Sequence, residues 1–122
     1  MRMFFVLALL FVCVSGASGA RKHPERHYQE EWARENGGKT EVTLPDKTRC
    51  DIVTKEYAIE VDFADKWSES VGQALYYAFQ MNKKPAILLV MEDREDKRFL
   101  FRLNSVLVHY GLDVKVFVIR NY

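Results

Sequence analysis

Two cysteines, Cys13 and Cys50, are all the chain has. The first lies in an N-terminal segment expected to be cut away, so the mature protein keeps one thiol and cannot close an internal disulfide. Cys50 follows Arg49 in a strand-like run and reads as a small buried residue rather than a nucleophile. Excess charge is also missing. The 18 basic residues lose Arg2 with the same segment, and the remaining 17 face 17 acidic ones. A neutral chain has no basic field to announce tight, non-specific nucleic-acid binding, although an enzyme that touches a few phosphates stays open. There is no P-loop, dinucleotide fingerprint, zinc knuckle or serine-hydrolase elbow. His23, His27 and His109 are separated and follow no metal-ligand spacing, which leaves them as surface or satisfied histidines. No internal repeat, low-complexity tract or linker divides the 122 residues, enough for one domain with a modest core.

What is present begins with MRMFFVLALLFVCVSGASGA. Arg2 gives a short positive region, Met3 to Val14 an apolar stretch too short to span a bilayer, and Ser15 to Ala20 a run of small residues. This is the pattern of a secretory signal peptide. Residues 1–20 are therefore set apart from the fold, and the protein is expected to be exported, periplasmic or secreted, with no stable membrane association after cleavage. A cut after Ala20 is preferred to one after Ala17; the alternative is a short anchor that is never cut. Val12 stands before Cys13 where a lipoprotein site needs a small residue, which argues against lipidation.

Residues 21–122 read as a single domain. His23 to Asn36 places Tyr28, Trp32 and Ala33 at helical spacing, and Gly37-Gly38 stops it. Thr40–Leu44, Thr48–Thr54 and Tyr57–Phe63 are strand-like and joined by short turns, which predicts an antiparallel meander. Asp65 is the expected N-cap of a helix from Lys66 to about Met81, with Trp67, Val71, Ala74, Leu75 and Ala78 as its apolar stripe. Ala86–Met91 is continuously apolar and reads as a strand buried on both faces. After a charged loop, Glu92–Lys97, a helix over Phe99–Tyr110 ends at Gly111, and Val114–Ile119 is a last strand. The fold class is α/β: a mixed sheet with an α-β-β-β-α-β core plus a C-terminal helix and strand.

Glu60 and Asp62 are two apart in one strand and should project from the same face. A neighbouring strand can bring Asp51 beside them. Three converging carboxylates are hard to explain as core packing and suit a hard divalent cation, Mg²⁺ or Mn²⁺, which takes oxygen ligands. Lys66, Ser70, Gln73 and Tyr77 share one stripe of the helix that follows.

This element order and these residues resemble the PD-(D/E)xK nuclease superfamily, the restriction-endonuclease-like fold, over roughly residues 25–91. Asp51 matches the family's second-strand aspartate, Glu60 the acidic residue of its third-strand motif, and Gln73 with Tyr77 its Q-x-x-x-Y pair. The third-strand motif here is an E-x-D variant: Asp62 stands where the family has lysine. The resemblance implies that Asp51 and Glu60 are metal ligands, with Asp62 as a candidate third. It implies that Lys66 is a migrated amine, with Lys55 a weaker substitute, or else that Asp62 is a third ligand and a second cation does the lysine's work. It further implies that Gln73 and Tyr77 contact the substrate backbone. Many members add a glutamate from the first helix, for which Glu25, Glu30, Glu31 and Glu35 are candidates; Glu41 on the first strand could also face the site. The implied function is an exported, metal-dependent nuclease with a nucleic-acid substrate, DNA ahead of RNA. The rival is a catalytically degenerate binding or assembly module of the same fold, and a weaker third reading is hydrolysis of another phosphate ester. Minimal nucleases of this kind often dimerise, which leaves a homodimer open, with Tyr76, Phe79 and Phe101 as exposed-looking interface residues.

Overall fold

The computed structural model describes residues 20–122; the signal-peptide reading lies outside the described residues. Among those residues no helix is long and apolar enough to cross a membrane. The elements in chain order are α1 (Glu25–Asn36), β1 (Lys39–Thr43), β2 (Arg49–Val53), β3 (Tyr57–Phe63), α2 (Trp67–Met81), β4 (Lys84–Met91), α3 (Lys97–His109) and β5 (Lys115–Arg120). The five strands make one mixed sheet in sequential order. β1, β2 and β3 form the antiparallel meander, and β3, β4 and β5 run parallel, joined through α2 and α3. The fold is α/β, as expected.

Alternation along β3 divides the core. Ile59, Val61 and Phe63 pack with Tyr28 and Ala33 of α1, against Leu88 and Val90 of β4. Ala58 lies on the opposite face with Ala78 of α2 and Cys50 of β2, while Ile87, Leu89 and Met91 of β4 pack against Ala74 of α2 and Leu103 and Leu107 of α3. β4 is thus covered on both sides, and Ala86–Met91 is fully buried as its unbroken apolar run requires. Turn chemistry keeps the meander tight. The Oγ1 of Thr54 accepts the Tyr57 N–H at 2.9 Å, and Lys83 Nζ bonds the Thr54 and Lys55 carbonyls, each at 2.9 Å. α1 ends at Gly37 with φ of 76°, a left-handed position suited to glycine. At Gly38 the reason is space: a Cβ there would lie 2.6 Å from the Cγ2 of Ile52.

Several boundaries differ from expectation. α1 begins at Glu25: Pro24 is its N-cap in extended conformation, and His23, before a proline, is held out of the helix. Asp65 is not a helix cap. It sits in a 3-10 turn, Ala64–Lys66, before α2, and its Oδ1 accepts from Arg21 Nη2 at 2.6 Å. The charged loop before α3 contains a second such turn, Arg94–Asp96, closed by a reciprocal capping box between Asp93 and Asp96. β4 starts two residues earlier than its apolar run, since Lys84 and Pro85 continue its pairing with Tyr57 and Ala58.

Candidate functional site

The site forms where the meander opens. β2 and β3 pair only at Ile52–Ile59 and Val53–Ala58 and then part. Asp51 therefore loses its backbone neighbour on β3, and its side chain fills the gap: Oδ2 accepts the Val61 N–H at 2.8 Å. A buried backbone donor must find some acceptor, and here a carboxylate supplies it in place of a ladder carbonyl. Glu60 and Asp62 project from β3 on the face of Ala58, and each is only 6% exposed. Glu60 feels the charges of both Asp51 and Asp62, so the three carboxylates lie close to one another.

A fourth joins them. Glu25, in the first turn of α1, is the first-helix glutamate that reaches the group, and it shares a side-chain hydrogen bond with Asp62. The other candidates are occupied or exposed elsewhere. Glu30 pairs with Arg26 at 2.9 Å, Glu31 with His27 at 3.5 Å, and Glu35 lies on the solvent side. Glu41 stands behind Asp51 rather than in the group: its Oε1 accepts from Gln29 at 3.1 Å, and its Oε2 lies 3.8 Å from Arg49 Nε. Glu25 is held in place by the residues before it. The N–H groups of Lys22 and His23 donate to Glu92 Oε2 at 3.0 and 3.3 Å, and Arg21 stacks 3.8 Å above the Phe63 ring. The Tyr28 hydroxyl donates to the same Glu92 oxygen.

Crowding four acids in a partly dry place drives them toward the neutral form. Burial, then the charges of Asp51 and Asp62, push Glu60 up to about 10. Burial followed by the charges of Asp51 and Asp62 raises Glu25 to about 7. Burial likewise raises Asp62 to about 6, although Lys66 pulls it down. Burial pushes Asp51 up as well, against the pull of the Val61 N–H. The acids lie in two close pairs, Glu60 with Asp51 and Glu25 with Asp62, so each pair can share a proton. One atom is left over. Glu60 Oε2 is the one buried side-chain oxygen or nitrogen among the described residues without a hydrogen-bond partner.

No group of three or more histidine, cysteine or acidic side chains among the described residues stands in position to hold a metal ion. The donor chemistry nevertheless fits a hard cation. All four groups offer oxygen, and the orphaned Glu60 oxygen is a ligand atom with nothing to bind.

The remaining sequence-predicted residues separate. Lys66 is exposed, in the turn after β3, yet its charge is felt by both Asp62 and Glu25. Tyr77 is half-buried, and burial and then the charges of Glu60 and Asp51 raise its hydroxyl, so the ring borders the group. Gln73 is exposed on the same helical stripe and makes no side-chain hydrogen bond. Lys55 lies exposed in the turn before β3, and its carbonyl accepts from Lys83 Nζ. Cys50 is buried and its thiol is pushed up to about 11, chiefly by burial, which leaves it inert as read. Two contributors were not legible in the sequence. Glu69, in the first turn of α2, adds its charge to Asp62. Gln29 is 2% exposed, and its Nε2 donates to the Asp51 carbonyl at 2.9 Å. The available signal was its i+4 spacing from Glu25, which places both on one face of α1.

Comparison with known proteins finds no family model that matches the chain, and no curated protein or solved structure that matches it.

Proposed function

We propose that the protein is an exported, metal-dependent nuclease of the PD-(D/E)xK, restriction-endonuclease-like kind, acting on DNA ahead of RNA. The observation that carries this reading is the Glu60 carboxyl, 6% exposed, with an unpartnered oxygen, among Asp51, Asp62 and Glu25. Buried acids without a counter-charge are costly, and a fold that gathers four of them needs a cation to use them. The antiparallel β1–β3 meander followed by α2 and parallel β4 is the order that the resemblance implies, which adds support.

Asp51 and Glu60 would hold Mg²⁺ or Mn²⁺, with Glu25 beside them. When bound, such an ion polarises a phosphoryl oxygen and makes water a competent nucleophile near neutral pH. Asp62 or Lys66 would orient that water, and Asp62, a carboxylate in its charged form, would accept its proton. Lys66 offsets charge from the rim, Gln73 offers an amide to a phosphate, and Tyr77 lines the substrate backbone. The water oxygen forms the new bond to phosphorus. The P–O bond to the leaving alcohol would break as this bond forms, and the departing alkoxide would take a proton from solvent water, giving a phosphomonoester and a free hydroxyl end.

One observation favours the rival, a degenerate binding or assembly module: among the described residues no lysine donates a hydrogen bond into the group, and Lys66 stays at its edge. Titration with Mn²⁺ separates the two. The nuclease reading predicts saturable binding with proton release, lost in Glu60→Gln, which should stay folded; a protein that binds no Mn²⁺ at pH 8 is the degenerate module.

A further inference from the structure

We infer that Gln29 is the positioning residue that aims Asp51 into the carboxylate group, an assignment that rests on the proposed metal site. Asp51 lies at a break in both of its ladders. On one side, pairing with β3 ends at Ile52–Ile59. On the other, β1 pairs with β2 at Thr40–Ile52 and at Val42–Cys50 but not between them, where Glu41 faces Asp51. Glu41 has φ of 53°, a left-handed conformation that a glutamate rarely adopts. Such strain persists only where surrounding contacts over-determine it.

Gln29 supplies those contacts. Its side-chain amide is buried, and its Nε2 bonds two acceptors at the break, the Asp51 carbonyl at 2.9 Å and Glu41 Oε1 at 3.1 Å. With the carbonyl of Asp51 turned toward α1, the side chain of the same residue is directed to the Val61 N–H and to Glu60. Arg49 lies on the other oxygen of Glu41 and keeps that acceptor in place. Gln29 touches none of the four acids' carboxyl groups that would bind a cation, so it acts through Asp51 and is not itself a ligand. A glutamine suits this post because a neutral amide adds no further negative charge to a region already rich in it.

The test compares Gln29→Met, which removes the amide at nearly constant volume, with Trp32→Leu. Trp32 is on the same helix and packs on Phe117, away from Asp51. Two readouts are taken on each full-length protein: hydrogen exchange of the Val61 amide relative to that of Leu88, and Mn²⁺ affinity. Gln29→Met should accelerate Val61 exchange and weaken Mn²⁺ binding by about 10–100-fold, the range for a lost outer-shell partner. Trp32→Leu should lower Tm and leave both readouts at the wild-type level. Gln29→Asn keeps the amide one methylene short and is the milder second variant, with the same direction of change. Wild-type Val61 protection in both Gln29 variants, or equal changes in the Trp32 control, overturns the assignment. A wild type that binds no Mn²⁺ overturns the metal-site reading instead, and the Val61 exchange then decides on Gln29 alone.

Discussion

Glu60 is placed where a carboxylate is least stable as an anion, and the consequences can be read in solution. Its folded-state pKa is raised, so the native protein holds a proton that the unfolded chain has already released. The same is true of Glu25 and Asp62. For groups shifted in this direction, stability is greatest below the unfolded values of 4.5 and 3.8 and falls as pH rises through the folded ones. In chelator, Tm should therefore decline from pH 5.5 to 8.5. Asp62 finishes its share near pH 6 and Glu25 near pH 7, while Glu60 continues toward 10. Replacing Glu60 by Gln removes the last of these, so the decline should flatten above pH 7. At pH 8 the metal-free variant should melt above the wild type, by about 4–8 °C for each kcal/mol relieved. Saturating Mn²⁺ should reverse the order, because a ligand that binds only the native state stabilises it by mass action. A variant that melts below the wild type in chelator contradicts the account of Glu60.

At the scale of elements, the site depends on how three pieces of chain meet: the β2–β3 opening, the start of α1, and the strap of residues 21–23 that leads into it. Glu92 ties that strap down with one oxygen that accepts from Lys22, His23 and the Tyr28 hydroxyl. Glu92→Ala leaves these donors without an acceptor, at a cost of ~1–3 kcal/mol for the part-buried tyrosine. It should also weaken Mn²⁺ binding, because Glu25 follows directly. Thermal melts and a Mn²⁺ titration check both; lost stability with unchanged affinity would mean that the strap does not position Glu25. None of this was visible in the sequence. Glu92 read as one charge in a charged loop. The strands and helices themselves were legible, since period-two and period-3.6 patterns record burial directly. Their ends were less so, because Asp65 as a cap and Asp65 as a partner for Arg21 look alike until the chain is folded.

For the whole molecule, α/β architecture and a five-stranded mixed sheet followed from alternation, short turns and one continuous apolar strand. The convergence of Asp51, Glu60 and Asp62 followed from spacing, and the exposure of Phe79 and Phe101 agrees with the sequence reading. The choice of Glu25 among the α1 glutamates did not follow, because all four lie on a polar helix and only packing decides which one meets Asp62. Gln29 was hidden for the same reason: a glutamine beside Tyr28 gives no sign that a strand break lies beneath it. Whether the molecule cuts nucleic acid rests on the acids as a set. The direct measurement is cleavage of labelled single- and double-stranded DNA and RNA by the purified protein in Mg²⁺, in Mn²⁺ and in chelator, with Asp51→Asn beside it. The account predicts metal-dependent cutting of DNA that falls by at least ~100-fold in the variant, on the scale of a lost electrostatic partner in a reaction site. A folded wild type that cuts none of the four substrates in either metal, or an Asp51→Asn protein that cuts as well as the wild type, contradicts it.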